Sequence, residues 1–319
     1  MFGESFTMNN TPSTEERVWA ALSHLSALAF GMGVLLPIIG WSEQRRKSNY
    51  ATFQALQALG YQSLGYTVWM LSYWVVMTLL LVIVVAALSL VTARTGELGP
   101  VAMAGFNIVL FLFVFFGFGL YFLFPVIAAI SCALGRDFRY PVLGDRLARY
   151  LGYALNESQS EAGGLIEEHE DRWVGAMGHF CVIIPLWGLL APATAWIVQG
   201  RRSSFLRFQS AQTVLYQGVV TLFSFLPGLV YMVGFVIFLL SMGAGFIGND
   251  TTSVAGIGIV FLVLFGLLAL VLALILPLFH ILGQWAGYRA LKGDEYRYPL
   301  AGRLVERWML KKIADESGK

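Results

Sequence analysis

The sequence predicts an all-α integral membrane protein of two tandem helical repeats, each a broken, re-entrant hydrophobic segment followed by two long transmembrane helices. Three observations lead there. Residues 15–62 recur as residues 170–217 without a gap, with Arg17/Arg172, His24/His179, Pro37/Pro192, Trp41/Trp196, Phe53/Phe208, Gln54/Gln209, Gln57/Gln212, Tyr61/Tyr216 and Gln62/Gln217 identical. A second echo repeats Arg139-Tyr140-Pro141 and Gly144 as Arg297-Tyr298-Pro299 and Gly302. Self-similarity of this kind marks one module used twice. The third observation is composition: 57% of residues are apolar and 13% charged, about half the roughly 25% charge of soluble domains.

Residues 1–14 are polar and are expected to be disordered. They lack a basic stretch followed by an apolar one, so the first hydrophobic segment is expected to act as its own insertion signal. Repeat 1 covers residues 15–153 and repeat 2 residues 170–313, followed by a short tail, 314–319. Between the repeats, the acidic, glycine-containing segment 154–169 reads as a flexible linker. Four runs carry no charge, Tyr66 to Val91, Phe106 to Leu134, Val219 to Phe246 and Val254 to Leu282. Each exceeds the roughly 20 apolar residues that cross a bilayer, and tilt absorbs the excess.

The first hydrophobic segment of each repeat differs from these runs. Gly31 and Gly33 interrupt residues 19–41 and Pro37 follows, while Pro185, Gly188 and Pro192 interrupt residues 174–196. Glycine and proline break helices, and two pieces of ~10 residues are too short to cross separately. A re-entrant hairpin and a single kinked spanning helix both remain open on this pattern alone.

Charge favours the hairpin. If every segment crosses, the 21 Lys and Arg residues divide 13 to 8 between the two sides. If the first segment of each repeat leaves on the face it entered, they divide 20 to 1, with only Arg94 opposite. Basic residues accumulate on the cytoplasmic side, so the second arrangement is expected, in a bacterial inner membrane with both termini cytoplasmic.

After the hairpin, residues 50–62 read as an interface helix, with Tyr50, Phe53, Leu56 and Gly60 on one face and Gln54, Gln57 and Tyr61 on another. The basic stretches 146–155 and 303–313 are expected to lie in the headgroup plane and to attract anionic lipid.

The broken segment bearing His24 or His179, the basic turn, the F-x-x-Q-x-x-Q helix and the closing stretch Ala290 to Leu300 (ALKGDEYRYPL) together carry a resemblance. They look like a family of small bacterial membrane proteins of unknown function. That family is similar to the channel-like multi-pass subunit of the chloroplast inner-envelope import translocon. The resemblance covers most of both repeats and implies a helical module in each, with the chain resembling a fused dimer. Repeat 1 departs from it at ALGRDFRYPVL, one residue shorter.

Among chemically able residues, His24 and His179 could form a proton relay or metal pair. No Asp, Glu or Cys recurs beside both, and the structural alternative is a neutral imidazole bonded to backbone freed by the break. Gln54, Gln57 and Gln62, with Gln209, Gln212 and Gln217, either line a polar groove or satisfy internal backbone. Gly283 and Gly287, beside His280 and Gln284, are expected to let helices approach closely. Cys132 and Cys181 read as free, buried thiols.

Hydrolase, metalloprotease and nucleotide-binding signatures are absent. The long runs carry no carboxylate for a proton or cation pump, so neither an enzyme nor a catalytic residue, metal or cofactor is expected. A net charge of +2 gives no footing for nucleic acid. Three classes remain: a channel-like or scaffolding protein engaging a polypeptide or membrane partner, a small-solute transporter, and a lipid-organising protein.

Overall fold

The computed structural model describes residues 11–95, 100–153, 164–184, 186–248 and 251–317. The turns expected on the far side of the membrane, most of the linker, Pro185 and the chain ends lie outside these residues. Among the described residues every regular element is helical: α1 Thr14–Leu25, α2 Leu35–Gln44, α3 Asn49–Gly60, α4 Tyr66–Thr95, α5 Pro100–Ala133 and α6 Leu143–Leu151. The series continues with α7 Glu167–Phe180, α8 Leu190–Gln199, α9 Ser204–Gly248, α10 Thr251–Leu291 and α11 Ala301–Ser317. Two compact units divide the chain, Met1–Met177 and Gly178–Lys319.

In the first unit, α1 starts at a capping box. The Ser13 hydroxyl accepts from Glu16 N, while the Glu16 carboxylate accepts from Ser13 N, which satisfies two of the free donors at a helix start. After α1 the chain tightens into a 3-10 stretch, Ser26–Val34, interrupted at Phe30 by a left-handed backbone (φ 55°). Then α2 runs back along α1. Gln44 Nε2 donates to Glu15 Oε1 at 3.2 Å, and Gly40 lies so close that an added Cβ would sit 3.3 Å from the Trp19 ring. Residues Thr14–Gln44 are long and apolar enough to cross a membrane, but they fold into a hairpin. Its arms of 12 and 10 residues measure about 18 and 15 Å at 1.5 Å per residue, short of a bilayer core of about 30 Å. A hairpin, and not a single kinked helix, is therefore the form observed.

Ser48 caps α3 by accepting from Ala51 N at 3.1 Å. A π turn over Tyr61–Gly65 leads directly into α4. Here the interface-helix expectation is corrected: Ala51 through Gly60 are all buried, the glutamines included. The polar face is internal because its amides have protein partners. The long helices α4 and α5 lie side by side, with Gly117 admitting the Tyr73 ring, and leave residues such as Leu79 and Phe115 exposed as a lipid-facing surface would.

Two further expectations change in this unit. Helix α6 buries Leu147, Ala148 and Leu151 in the protein core, so its apolar face is spent on packing and not on the headgroup plane. The linker's acidic end is structured too, because α7 begins at Glu167. Arg45 faces Glu170 at 3.2 Å and Asp171 at 2.7 Å, and Trp41 Nε1 donates to Glu170 at 2.6 Å.

The second unit repeats the plan. The break after α7 is a 3-10 turn, Cys181–Ile183, then a left-handed Leu186 (φ 63°) and a second 3-10 turn, Trp187–Leu189. Gly178 faces Pro192 across the hairpin, where an added Cβ would lie 3.4 Å from the proline. Ser203 caps α9 as Ser48 caps α3, accepting from Leu206 N at 3.2 Å. Helices α9 and α10 run uninterrupted through Pro227 and Pro277. Their core joins Val182, Tyr216, Val220, Ala286, Tyr298 and Ala301.

Candidate functional site

The duplicated polar residues converge, in each unit, on the loop that follows the last long helix. Gln57 grips that loop's backbone. Its Nε2 donates to Phe138 O at 2.9 Å while its Oε1 accepts from Tyr140 N at 2.8 Å. One side chain thus pairs with the carbonyl and N–H of alternate residues, as a neighbouring strand would. Gln212 does the same in the second unit, with Tyr296 O at 2.7 Å and Tyr298 N at 3.2 Å.

Gln54 orients the histidine. Its Nε2 donates to Asp137 Oδ1 at 2.8 Å and Phe138 O at 3.1 Å. Both are acceptors, so the amide is fixed with Oε1 toward His24 Nε2, 2.9 Å away. That nitrogen therefore carries the proton. The other ring nitrogen, Nδ1, lies 3.1 Å from Tyr140 Oη, and a neutral imidazole accepting the phenol proton satisfies the pattern. His179 stands likewise between Gln209 at 3.0 Å and Tyr298 at 2.9 Å. Both histidines are fully buried.

The aromatic residues complete each lattice. Tyr140 stacks on Tyr61 with centroids 4.3 Å apart, and Tyr298 on Tyr216 at 3.9 Å. Tyr61 and Tyr216 in turn donate to the carbonyls of Tyr121 and Phe279, tying the loop to the last span. Gly144 and Gly302 lie in the first turn of the helices that follow the loop, where any Cβ would press on Gln57 or Gln212 and on Arg139 or Arg297.

The third glutamine serves the hairpin break. Gln62 Nε2 donates to Ser23 O at 3.1 Å, and Gln217 Nε2 to Gly178 O at 2.7 Å. These carbonyls belong to the ends of α1 and α7, where helical partners run out. The glutamines, rather than the histidines, hold the freed backbone.

Sequence reasoning brought the histidines and glutamines forward as one group. It did not join them to Tyr140 and Tyr298, although the repeated Arg-Tyr-Pro triplet was the available signal. Gly283 and Gly287 lie against Val182 and Phe180 of the break, and Gln284 donates to Phe180 O at 3.2 Å. Cys132 and Cys181 are free and buried. Among the described residues no three His, Cys, Asp or Glu side chains are grouped to hold a metal. A cavity of about 260 Å³ between α4 and α5, bounded by Trp74, Met77, Leu81 and Phe113, is apolar.

Residues 15–147 and, again, 170–305 match the sequence profile of the magnetosome magnetite crystal formation protein family. The chain belongs to this family. It is a multi-pass membrane protein carrying the family module twice. The small bacterial membrane-protein family expected from the sequence is thus one whose description names a process, which corrects the expectation of unknown function. Neither the curated proteins nor the solved structures offered a match. In the magnetosome-family module, the lattice residues His24, Gln54, Gln57 and Tyr140 all lie within the first matched stretch. His179, Gln209, Gln212 and Tyr298 lie within the second.

Proposed function

We propose that the protein acts in the magnetosome membrane in the formation of magnetite crystals, as an embedded scaffold that engages a polypeptide or membrane-protein partner. The family match over both repeats supports the process. The observation that carries the scaffold reading is the closed lattice: the polar residues of each hairpin are buried and bonded to their own repeat. A conduit needs polar groups turned to a water path, and these are turned to backbone. Charge placement adds support. With both termini cytoplasmic, only Glu97 and Asp250 of the 19 acidic residues reach the far side, too few for an acidic surface of this chain to template a mineral alone.

In the organism of origin, a tagged chain is expected to co-purify with magnetite-bearing vesicles, and its deletion to alter crystal size or shape under the electron microscope. Unaltered crystals would refute the process. Selective iron flux through the purified protein in proteoliposomes would replace the scaffold reading with transport.

A lipid-organising role has one specific support. In α11, Leu304 and Trp308 are exposed beside exposed Arg303 and Arg307, an amphipathic edge suited to anionic headgroups. Loss of co-purifying anionic lipid in an Arg303→Glu/Arg307→Glu variant would be its signature, and retention would remove it.

A further inference from the structure

The start of α7 is seated on repeat 1 through a joint with two dissimilar faces. One face is Glu170, Asp171, Trp173 and Met177. The other is Trp41, Arg45, Leu56, Gly60 and Ser63. Trp173 Nε1 donates to Leu56 O at 2.9 Å, and Ser63 Oγ meets the Met177 sulfur at 2.9 Å. Gly60 makes room for the indole, since an added Cβ would lie 2.5 Å from it. The Arg45 and Trp41 contacts to Glu170 close the rim.

The offset between the repeats assigns each face a counterpart. Val18 and Leu22 stand where Trp173 and Met177 stand, and Trp196, Ala211, Leu215 and Gly218 where Trp41, Leu56, Gly60 and Ser63 stand. Among these counterparts Val18 is 48% exposed, Leu22 41% and Leu215 37%, while Ala211 is buried and Trp196 is half-buried against Trp308. Ile197, beside Trp196, is 79% exposed, and nothing lies within 4 Å of where a Cβ on Gly218 would stand.

Their shapes remain complementary. The large-against-absent pair of Trp173 and Gly60 becomes the medium pair of Val18 and Leu215, while Leu22 faces Gly218 in place of Met177 facing Ser63. Arg45 has Gly200 as its counterpart, and the charge opposite Glu15 and Glu16 falls instead to Arg201 and Arg202 at the end of the other face.

We propose that the Val18–Leu22 face of one chain docks on the Trp196–Leu215 face of a second copy. Between two apolar helices in lipid the driving force is close packing at small residues, which Gly218 provides. Because the two faces differ, every chain added presents a fresh copy of each, so the assembly grows head to tail into a row or closes as a ring. The joint is a property of the repeat and is independent of the magnetite role proposed above.

The test uses full-length chains in a Cys132→Ser/Cys181→Ser background. A Val18→Cys chain and a differently tagged Leu215→Cys chain are co-expressed in membranes and treated with a bifunctional thiol reagent. A species carrying both tags is expected, lost when either chain is expressed alone. Both substitutions on one chain should give a ladder beyond the dimer. As a control, Ser63→Cys with Met177→Cys should link within one chain. Val18→Cys chains linking equally well to each other would overturn the head-to-tail geometry. The mass of the wild-type protein extracted in native nanodiscs decides independently. Multiples of the 35.2 kDa chain, reduced to single chains by Leu215→Trp, are expected, and a wild-type mass of one chain overturns the proposal.

Discussion

The side-chain amide of Gln57 lies against the peptide of Tyr140 as one strand lies against another, accepting its N–H at 2.8 Å while donating to Phe138 O two residues earlier. Eighty-three residues separate the pair in sequence, and with Gln54 at Phe138 O the two amides tie the loop after α5 to α3.

Replacing Gln57 by leucine removes the acceptor for a buried N–H, a loss of about 1–3 kcal/mol. Glutamate in its place still accepts from Tyr140 but cannot donate to Phe138 O, and it sets a carboxylate beside the Gln54 carbonyl oxygen. Thermal unfolding in detergent should therefore rank wild type above Gln57→Leu and Gln57→Leu above Gln57→Glu. A glutamate variant as stable as wild type would show that the clamp bears no load.

His24 and His179 are expected to act as fixed struts. Each His→Phe variant strands a buried tyrosine hydroxyl, while the glutamine oxygen keeps Gln57 or Gln212 as a donor, and should lose about 1–3 kcal/mol. Chelators should leave the melting temperature of the wild-type protein unchanged. A chelator-induced fall would mean that a metal, not a hydrogen bond, holds the imidazoles.

At the hairpin tips, a methyl group at Gly33 would strike the Ser26 carbonyl, and one at Gly188 the Cys181 carbonyl. Gly33→Ala and Gly188→Ala should each cost about 1–3 kcal/mol, the usual penalty of forced overpacking. Gly119→Ala meets open space and should leave stability unchanged or slightly higher. Equal tolerance at all three positions would rule out a tight hairpin tip.

Burial raises the Glu170 carboxyl above its ordinary value, with Trp41 and Arg45 pulling it back. A raised folded pKa means that its contribution is fully present below the unfolded value and is lost as pH rises through the folded one. Taking away Arg45 removes a charge that offsets this loss. Arg45→Met should accordingly cost roughly 3 kcal/mol near neutral pH and clearly less as the pH is lowered and Glu170 protonates. A deficit independent of pH would place the effect in lost packing over Trp41.

Cysteines placed at Ser48 and Ser203, in the background lacking Cys132 and Cys181, should be shielded from impermeant reagents in intact cells. Cysteines at Gly99 and Thr252 should react. Labelling of Ser48 and Ser203 from opposite sides would mean inverted repeats and would favour a solute transporter.

The hairpins and long spans were legible because they follow from local chemistry: glycine and proline at the break, unbroken apolar runs, and basic residues gathered on one side. The lattice was not, because Gln54 and Gln57 find their partners more than eighty residues away. Without those partners in view, three amides on a helix fit a polar groove and an internal brace alike. Glu167 misled in the same way, since an acidic residue near glycine reads as solvated linker until Arg46 is placed beside it. Leu147 and Leu151 showed an apolar stripe whose period gives its direction but not what it meets. Periodicity says which face is buried, and only the tertiary fold says whether protein or lipid covers it.

Apart from Asp137, which bonds Gln54 and is paired with Arg139, the lattices are built from neutral amides, phenols and imidazoles. An elementary charge moved across a membrane potential changes in energy by about 2.3 kcal/mol per 100 mV. A lattice without net charge feels little such force, so voltage exerts little torque on the hairpins. The same module therefore keeps its shape in an energised cell membrane and in a vesicle whose potential has collapsed.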